Sequence, residues 1–233
     1  MTLNVATAKM VDDLTKQADH LRIVVHDDGI NVPVLDFGIK TPGSLGAGVA
    51  LARVCTAGLA EIDIVPSDSA TWAGAAVSVR SDQPIAACMA SQYAGWKVSY
   101  EDYFAMGSGP MRAAAGDEEL FEKIGYRESP LVAVGVLESS KLPPPEVCRR
   151  MADDCDVETR RLSLLVAKTG SIAGTVQIVA RSLETALHKL YELEFDLEQV
   201  VTGYGVAPLP PVAADDLVGI GRTNDAILYG GRV

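Results

Sequence analysis

Positive charge is scarce in this sequence. Its 233 residues carry 20 Lys and Arg against 31 Asp and Glu, a formal net charge of −11, which argues against nucleic acid or an anionic membrane surface as a partner. Acidity of this size usually marks a solubilising surface. Cysteine is sparse too. Cys55, Cys88, Cys148 and Cys155 contain no CxxC pair, and His20, His26 and His188 form no cluster with them. That pattern offers no metal centre and fits buried thiols in a reducing cytoplasm. No apolar run reaches the roughly 18 residues of a membrane span, and the N-terminus lacks the basic-then-apolar layout of a secretory signal. What the chain has in quantity is apolar residues, 48%, enough for a sizeable core in one large domain or two small ones.

The apolar spacing alternates between helical and strand periods. Leu3, Ala6, Met10, Val11, Leu14, Ala18 and Leu21 share one side of a first helix. "RIVVH", the turn "DDG" and "NVPVLDFG" read as a hairpin. "VALARVCTAG" is a short helix, "AEIDIVP" and "AAVSVRS" are strands, and "QPIAACMASQYAGW" is helical. Further on, "DEELFEKIG" is a helix ended by Gly125, "SPLVAVGVLES" a buried strand, and "PPPEVCRRMADDC" a proline-initiated helix. "RRLSLLVAKTG" is a strand feeding one long helix, "SIAGTVQIVARSLETALHKLYELEF". This order predicts an α/β or α+β fold with mixed sheets. "KLPPPE" is the best boundary, dividing residues 1–143 from 144–233.

The long helix carries two stripes. Ile172, Val176, Val179, Leu183, Leu187 and Leu190 make a core face, while Gln177, Arg181, Glu184 and His188 fall on a second side. An ordinary exposed polar face explains the second stripe, and so does a cleft in which Glu184 acts as a base beside Arg181. In "DYFAMGSGPMRAA" (102–114), Gly107, Ser108, Gly109 and Pro110 precede a helix start. Such a turn lets backbone N–H groups meet an anion or a ring carbonyl, although it is neither a P-loop nor GxGxxG. In "ASQYAGW", Gln92 offers donors and an acceptor, and Tyr93 a stacking surface. "GIGRTNDAILYGG" places Thr223, Asn224 and Asp225 ahead of a hydrophobic strand, as a ligand-reading burst or a capped turn. No Ser-His-Asp or Cys-His pattern has local support, and Ser108 lacks the GxSxG elbow of a covalent hydrolase.

In this order, "ASQYAGWKV", "DYFAMGSGPMRA", "VQIVARSLETALHKL", "GVAPLPPV" and "GRTNDAILYGGR" resemble the methenyltetrahydromethanopterin cyclohydrolases, from the first helix to the last residue. The resemblance implies hydrolytic interconversion of 5,10-methenyltetrahydromethanopterin and its N5-formyl form, in methylotrophic formaldehyde oxidation or methanogenesis. It implies two similar-sized α/β domains with a pocket between them, a cytoplasmic homotrimer, no catalytic metal and no tightly bound cofactor. Tetrahydromethanopterin, or its dephospho form, is the C1-carrier substrate. The family's catalytic Arg and Glu, three apart, map onto Arg181 and Glu184, whose mutual contact is expected to be partial or solvent-bridged. The expected substrate contacts are Gln92, Tyr93, Gly107, Ser108, Gly109, Pro110, Gln177, Thr223, Asn224 and Asp225. Family members continue for several dozen residues after "GGR", so the second domain is expected to be shortened, the sequence being a fragment or a short form. A non-catalytic pterin-binding protein and an unrelated anion-binding α/β enzyme are the competing readings.

Overall fold

The hairpin predicted near the N-terminus is present and starts the main sheet. A computed structural model describes residues 2–27, 32–67 and 72–233, so the hairpin's "DDG" turn reaches outside the described residues. Helix α1 (Leu3–Lys16) is capped by the Thr2 hydroxyl, and the short α2 (Ala18–Leu21) ends at Arg22 in a left-handed conformation, φ 57°. Strands β1 (Val24–Asp27) and β2 (Pro33–Asp36) then pair antiparallel. Ser44 caps α3 (Leu45–Cys55), which starts earlier than the apolar pattern suggested.

A second hairpin, β3 (Glu61–Pro66) and β4 (Ala75–Ser81), leads into a π-helix over Ile85–Gln92. Next come β5 (Trp96–Tyr100) and β6 (Tyr103–Ser108), α4 (Met111–Ala115), α5 (Glu119–Ile124) and β7 (Ala133–Glu138). The chain continues through α6 (Pro145–Asp154), β8 (Leu162–Ala167), α7 (Ile172–Val179), α8 (Ser182–Glu192), β9 (Gly203–Pro208) and α9 (Asp216–Gly230).

Two sheets result, and the class is mixed α/β. The larger has the order β1-β2-β8-β7-β6-β5, with β2, β8 and β7 parallel at its centre and antiparallel strands on both sides. The smaller, β3-β4-β9, is antiparallel throughout. Both sheets take strands from before and after the 143/144 division. Alternation along the central strands buries both faces of the large sheet. Leu137, Leu162 and Leu164 pack with Val147 and Met151 of α6, while Val136, Leu165 and Ala167 pack with Leu51 and Val54 of α3 and with Ala173 of α7. A third cluster joins the small sheet, through Ile62, Val77 and Val79, to the π-helix and to Val179, Leu183 and Leu187. The π-helix and α8 thus pack with the small sheet, and α7 contributes to the clusters of both sheets.

Two sequence expectations are corrected. The "long helix" is two helices: Ala180 and Arg181 (φ −87°, ψ 7°) interrupt it, so Arg181 occupies the N-cap position of α8. "DDLVGIGRTNDAILYGG" is α9, not a turn entering a strand. The Asp215 carboxylate caps its first turn by accepting from the Val218 N–H at 2.8 Å, and Gly219 and Thr223, four apart, supply its buried side.

Candidate active site

The site is built around the end of the π-helix. A helix leaves its last carbonyls without intrahelical partners, and these draw donors and positive charge. Here the Met89 carbonyl accepts from Arg112 Nη1 at 2.9 Å, the Ser91 carbonyl accepts from the Gly109 N–H at 2.8 Å, and the Gln92 carbonyl accepts from Arg181 Nη1. One helix terminus therefore positions two arginines and the turn after β6.

Arg181 reaches that terminus because the helix breaks beneath it. Its Nη2 also donates to Ser108 Oγ at 3.1 Å and to Cys55 Sγ at 3.6 Å. Cys55 ends α3, lies 3.3 Å from Ser108 Oγ, and accepts from Gln177 Nε2 at 3.7 Å. Gln92 Nε2 donates to the Ala180 carbonyl at 3.2 Å, while Gln92 Oε1, fully buried, finds no donor among the described residues. A buried acceptor left open costs about 1–3 kcal/mol and is a common mark of a functional site. The polar stripe is accordingly not a solvated face: Gln177, Arg181 and Glu184 are all buried.

Glu184 lies in the first turn of α8, 6% exposed. Burial pushes its carboxyl above the usual carboxylate range. The charges of Arg181, His188 and Arg112, in that order, pull it back, as does a hydrogen bond from Thr185. The positive end of the helix dipole acts in the same direction. Arg181 gives its hydrogen bonds to Gln92, Ser108 and Cys55 rather than to Glu184, and so acts on the carboxyl as a nearby charge. The result is a carboxyl group that can both lose and regain a proton in a dry setting.

The remaining predicted residues divide. Tyr93 packs against His188, ring centroids 4.7 Å apart, and beneath the Arg112 guanidinium at 4.8 Å. Gly107 and Ser108 are the last residues of β6 rather than a loop. Gly109 turns the chain at φ +90°, where an added Cβ would lie 3.3 Å from the Val136 N–H. Its own N–H is spent on Ser91, and the Pro110 carbonyl accepts from Asn4 Nδ2 at 2.8 Å. The glycine–serine turn therefore serves the chain's own path and does not expose a ring of free N–H groups. Asn224 and Asp225 lie on the exposed side of α9, and the buried Thr223 hydroxyl bonds to the Gly219 carbonyl at 2.9 Å. These three are not among the partners of Arg181. A cavity of about 740 Å³ also lies elsewhere, bounded by Ile85, Lys123, Tyr126, Tyr191, Phe195 and Val201 among others.

Cys55 and Arg112 were not singled out from the sequence. Arg112 is the more surprising: its side chain is wholly buried, with Nε and Nη2 donating to the two oxygens of Glu118 at 2.9 and 2.7 Å. The available signal was an arginine within an alanine-rich helix and a glutamate six residues on. Among the described residues, no group of three or more His, Cys, Asp and Glu is arranged to hold a metal ion, and no helix is long and apolar enough to cross a membrane.

A mixed α/β fold that buries a carboxyl near a guanidinium, where α8 follows α7, offers a group able to exchange a proton with a ligand. The chain belongs to the cyclohydrolase (MCH) family, whose family model matches residues 2–233. It is 46% identical over 231 residues to the methenyltetrahydromethanopterin cyclohydrolase of Methylobacillus flagellatus, covering 99% of this chain and 71% of that protein. Similarity to the protein of the same name from Rhodopirellula baltica is 51% identity over 205 residues, 86% of this chain and 62% of the relative. With that of the methanogen Methanosarcina barkeri it is 40% over 233 residues, 100% of this chain and 73% of the relative. The chain thus spans 62% to 73% of the length of these relatives.

Proposed function

We propose that this chain catalyses the hydrolytic interconversion of 5,10-methenyltetrahydromethanopterin and N5-formyltetrahydromethanopterin, with Glu184 as proton acceptor and donor and Arg181 as its electrostatic partner. The observation that carries this reading is the buried Glu184 carboxyl beside a guanidinium anchored by three other segments. The substrate is a cation whose amidinium carbon bridges two nitrogens. Water adds to that carbon, and Glu184 takes the proton released as a neutral carbinolamine forms. Glu184 then gives the proton to N10 as the C–N10 bond breaks. The hydroxyl becomes the formyl carbonyl and releases its own proton, so that one proton is liberated per turnover. An ionised Glu184 also stabilises the cation. A guanidinium in direct contact would make the carboxylate a weaker base, and Arg181's bonds to other partners avoid that.

Gln92, with an open buried acceptor, and Tyr93, with a ring beside Glu184's neighbour His188, complete the proposed substrate contacts, together with Ser108 and Gln177. The buried cysteines, which form no disulfide, fit a reducing cytoplasm. Family resemblance supports a homotrimer, which light scattering on the purified chain tests.

The deciding experiment is to mix the chain with methenyltetrahydromethanopterin and follow the loss of its ultraviolet band. Accelerated loss is expected, and Glu184→Gln should slow it by roughly 10²- to 10⁴-fold while leaving the fold intact. A shifted but stable band would show binding without turnover. No change would remove the pterin altogether.

A further inference from the structure

Hydrolysis of the methenyl cation liberates a proton, and the carboxyl that would handle it is buried. Glu184 is 6% exposed, so a proton it takes up has no direct way into bulk water, least of all with a ligand over the site. The same side of α8 carries Glu184, His188 and Glu192 at four-residue intervals, which a helix sets one above the other, about 6 Å apart along its axis. Exposure climbs along this row. The His188 side chain is 36% exposed and that of Glu192 57%, with His188 Nε2 3.4 Å from Glu192 Oε1.

Three charged groups act on Glu184, and two of them, Arg181 and Arg112, are guanidiniums, which do not give up a proton in proteins. The third is His188, and an imidazole both accepts and releases protons. The neighbouring acids offer no base. Burial, and then the charge of Glu184, pushes the Cys88 thiol well above its usual range. Burial, and then Glu118, likewise raises the Tyr93 hydroxyl. Tyr93 instead fixes the imidazole, the two ring centroids lying 4.7 Å apart, and is itself held by the Arg112 guanidinium at 4.8 Å. His188 therefore has a packed ring at its side, a buried carboxyl one turn before it and an exposed carboxylate one turn after.

We propose that His188 carries protons between the buried Glu184 carboxyl and solvent, with Glu192 at the exit. This rests on the function proposed above. When the carbinolamine hydroxyl becomes the formyl carbonyl, the Glu184 carboxylate, emptied at N10, takes the hydroxyl proton. The Glu184 O–H bond then breaks as an N–H bond forms on the imidazole, through one bridging water. The imidazolium releases a proton to Glu192 or to water. Glu184 and His188 both return to their starting charge, so solvent is the only co-reactant. In the reverse direction the same row delivers the proton that ring closure consumes.

The test follows the methenyltetrahydromethanopterin band with the chain in excess, so that each substrate molecule is converted in one turnover, and with substrate in excess. Both are run in dilute buffer with and without added imidazole. His188→Gln should leave the single-turnover rate within about threefold of wild type, because Glu184 alone can complete one cycle. Its kcat should fall roughly 100-fold, the lower end for a lost proton-transfer group. Added imidazole should restore most of that loss and leave wild type unchanged. His188→Phe keeps a ring against Tyr93 and should lose kcat as His188→Gln does, which separates proton carriage from packing. A Phe variant that turns over like wild type, a loss that imidazole does not touch, or an equal loss in single turnover would overturn the relay. If wild type itself neither binds nor converts the pterin, the functional reading beneath the relay fails instead.

Discussion

The Arg112–Glu118 pair allows a quantitative test of how this site is supported. Arg112 is wholly buried, Glu118 is 30% exposed, and the guanidinium lies between the rings of Tyr93 and Phe121, 4.8 and 5.1 Å from their centroids. Removing either partner leaves the other's charge behind, but in different surroundings. Glu118→Met strands a cation with no access to water and should cost about 3–5 kcal/mol. Arg112→Met leaves a carboxylate that can turn towards solvent, so about 1–3 kcal/mol is expected. In a chain of this length each kcal/mol moves Tm by about 2–4 °C, giving falls of roughly 6–20 °C and 2–12 °C. The double variant replaces the pair by two apolar side chains and should melt above Glu118→Met alone. Thermal unfolding of the four proteins measures this. If the two single effects simply add to within about 0.5 kcal/mol, the pair is not coupled and the argument from burial fails.

Two further outcomes follow from the site's construction. Burial raises Glu184's folded-state pKa, so as pH climbs above 4.5 the folded chain gives up this proton later than the unfolded chain does, and stability from this group declines across that window. Glu184→Gln should therefore melt higher than wild type near neutral pH and converge with it in acid, a stability gain bought with activity; equal melting at both pH values would refute the buried, charge-resisting carboxyl. Gly109→Val places a branched side chain at φ +90° and a Cβ 3.3 Å from the Val136 N–H. It should lose about 2–3 kcal/mol, seen as a Tm lower by roughly 4–12 °C, and an unchanged Tm would mean the turn is freely adaptable.

Much of this architecture was legible because period and punctuation agree. Gly125 in the left-handed conformation closes α5, Pro145 opens α6, and the unbroken apolar runs of β7 and β8 became central parallel strands. Arg181 and Glu184 stood out through helical spacing. What spacing could not reveal was the interruption at Ala180, because no proline or glycine marks it; the break arises where Arg181 turns to meet the Gln92 carbonyl. Nor could it reveal the C-terminal helix, whose glycines and polar cluster imitate a turn until the Asp215 cap is seen. The partners of Arg112 and Cys55 are set by three-dimensional packing, and local sequence carries little trace of them.

The three bonds that hold Arg181 cross 73, 89 and 126 residues of chain. Contacts of such long range are slow to form, since loop closure must precede any gain from them. During synthesis, Cys55, Gln92 and Ser108 all leave the ribosome well before Arg181 does. With the role proposed for Arg181, turnover should therefore emerge late and all at once, making it a sensitive clock for the last step of folding.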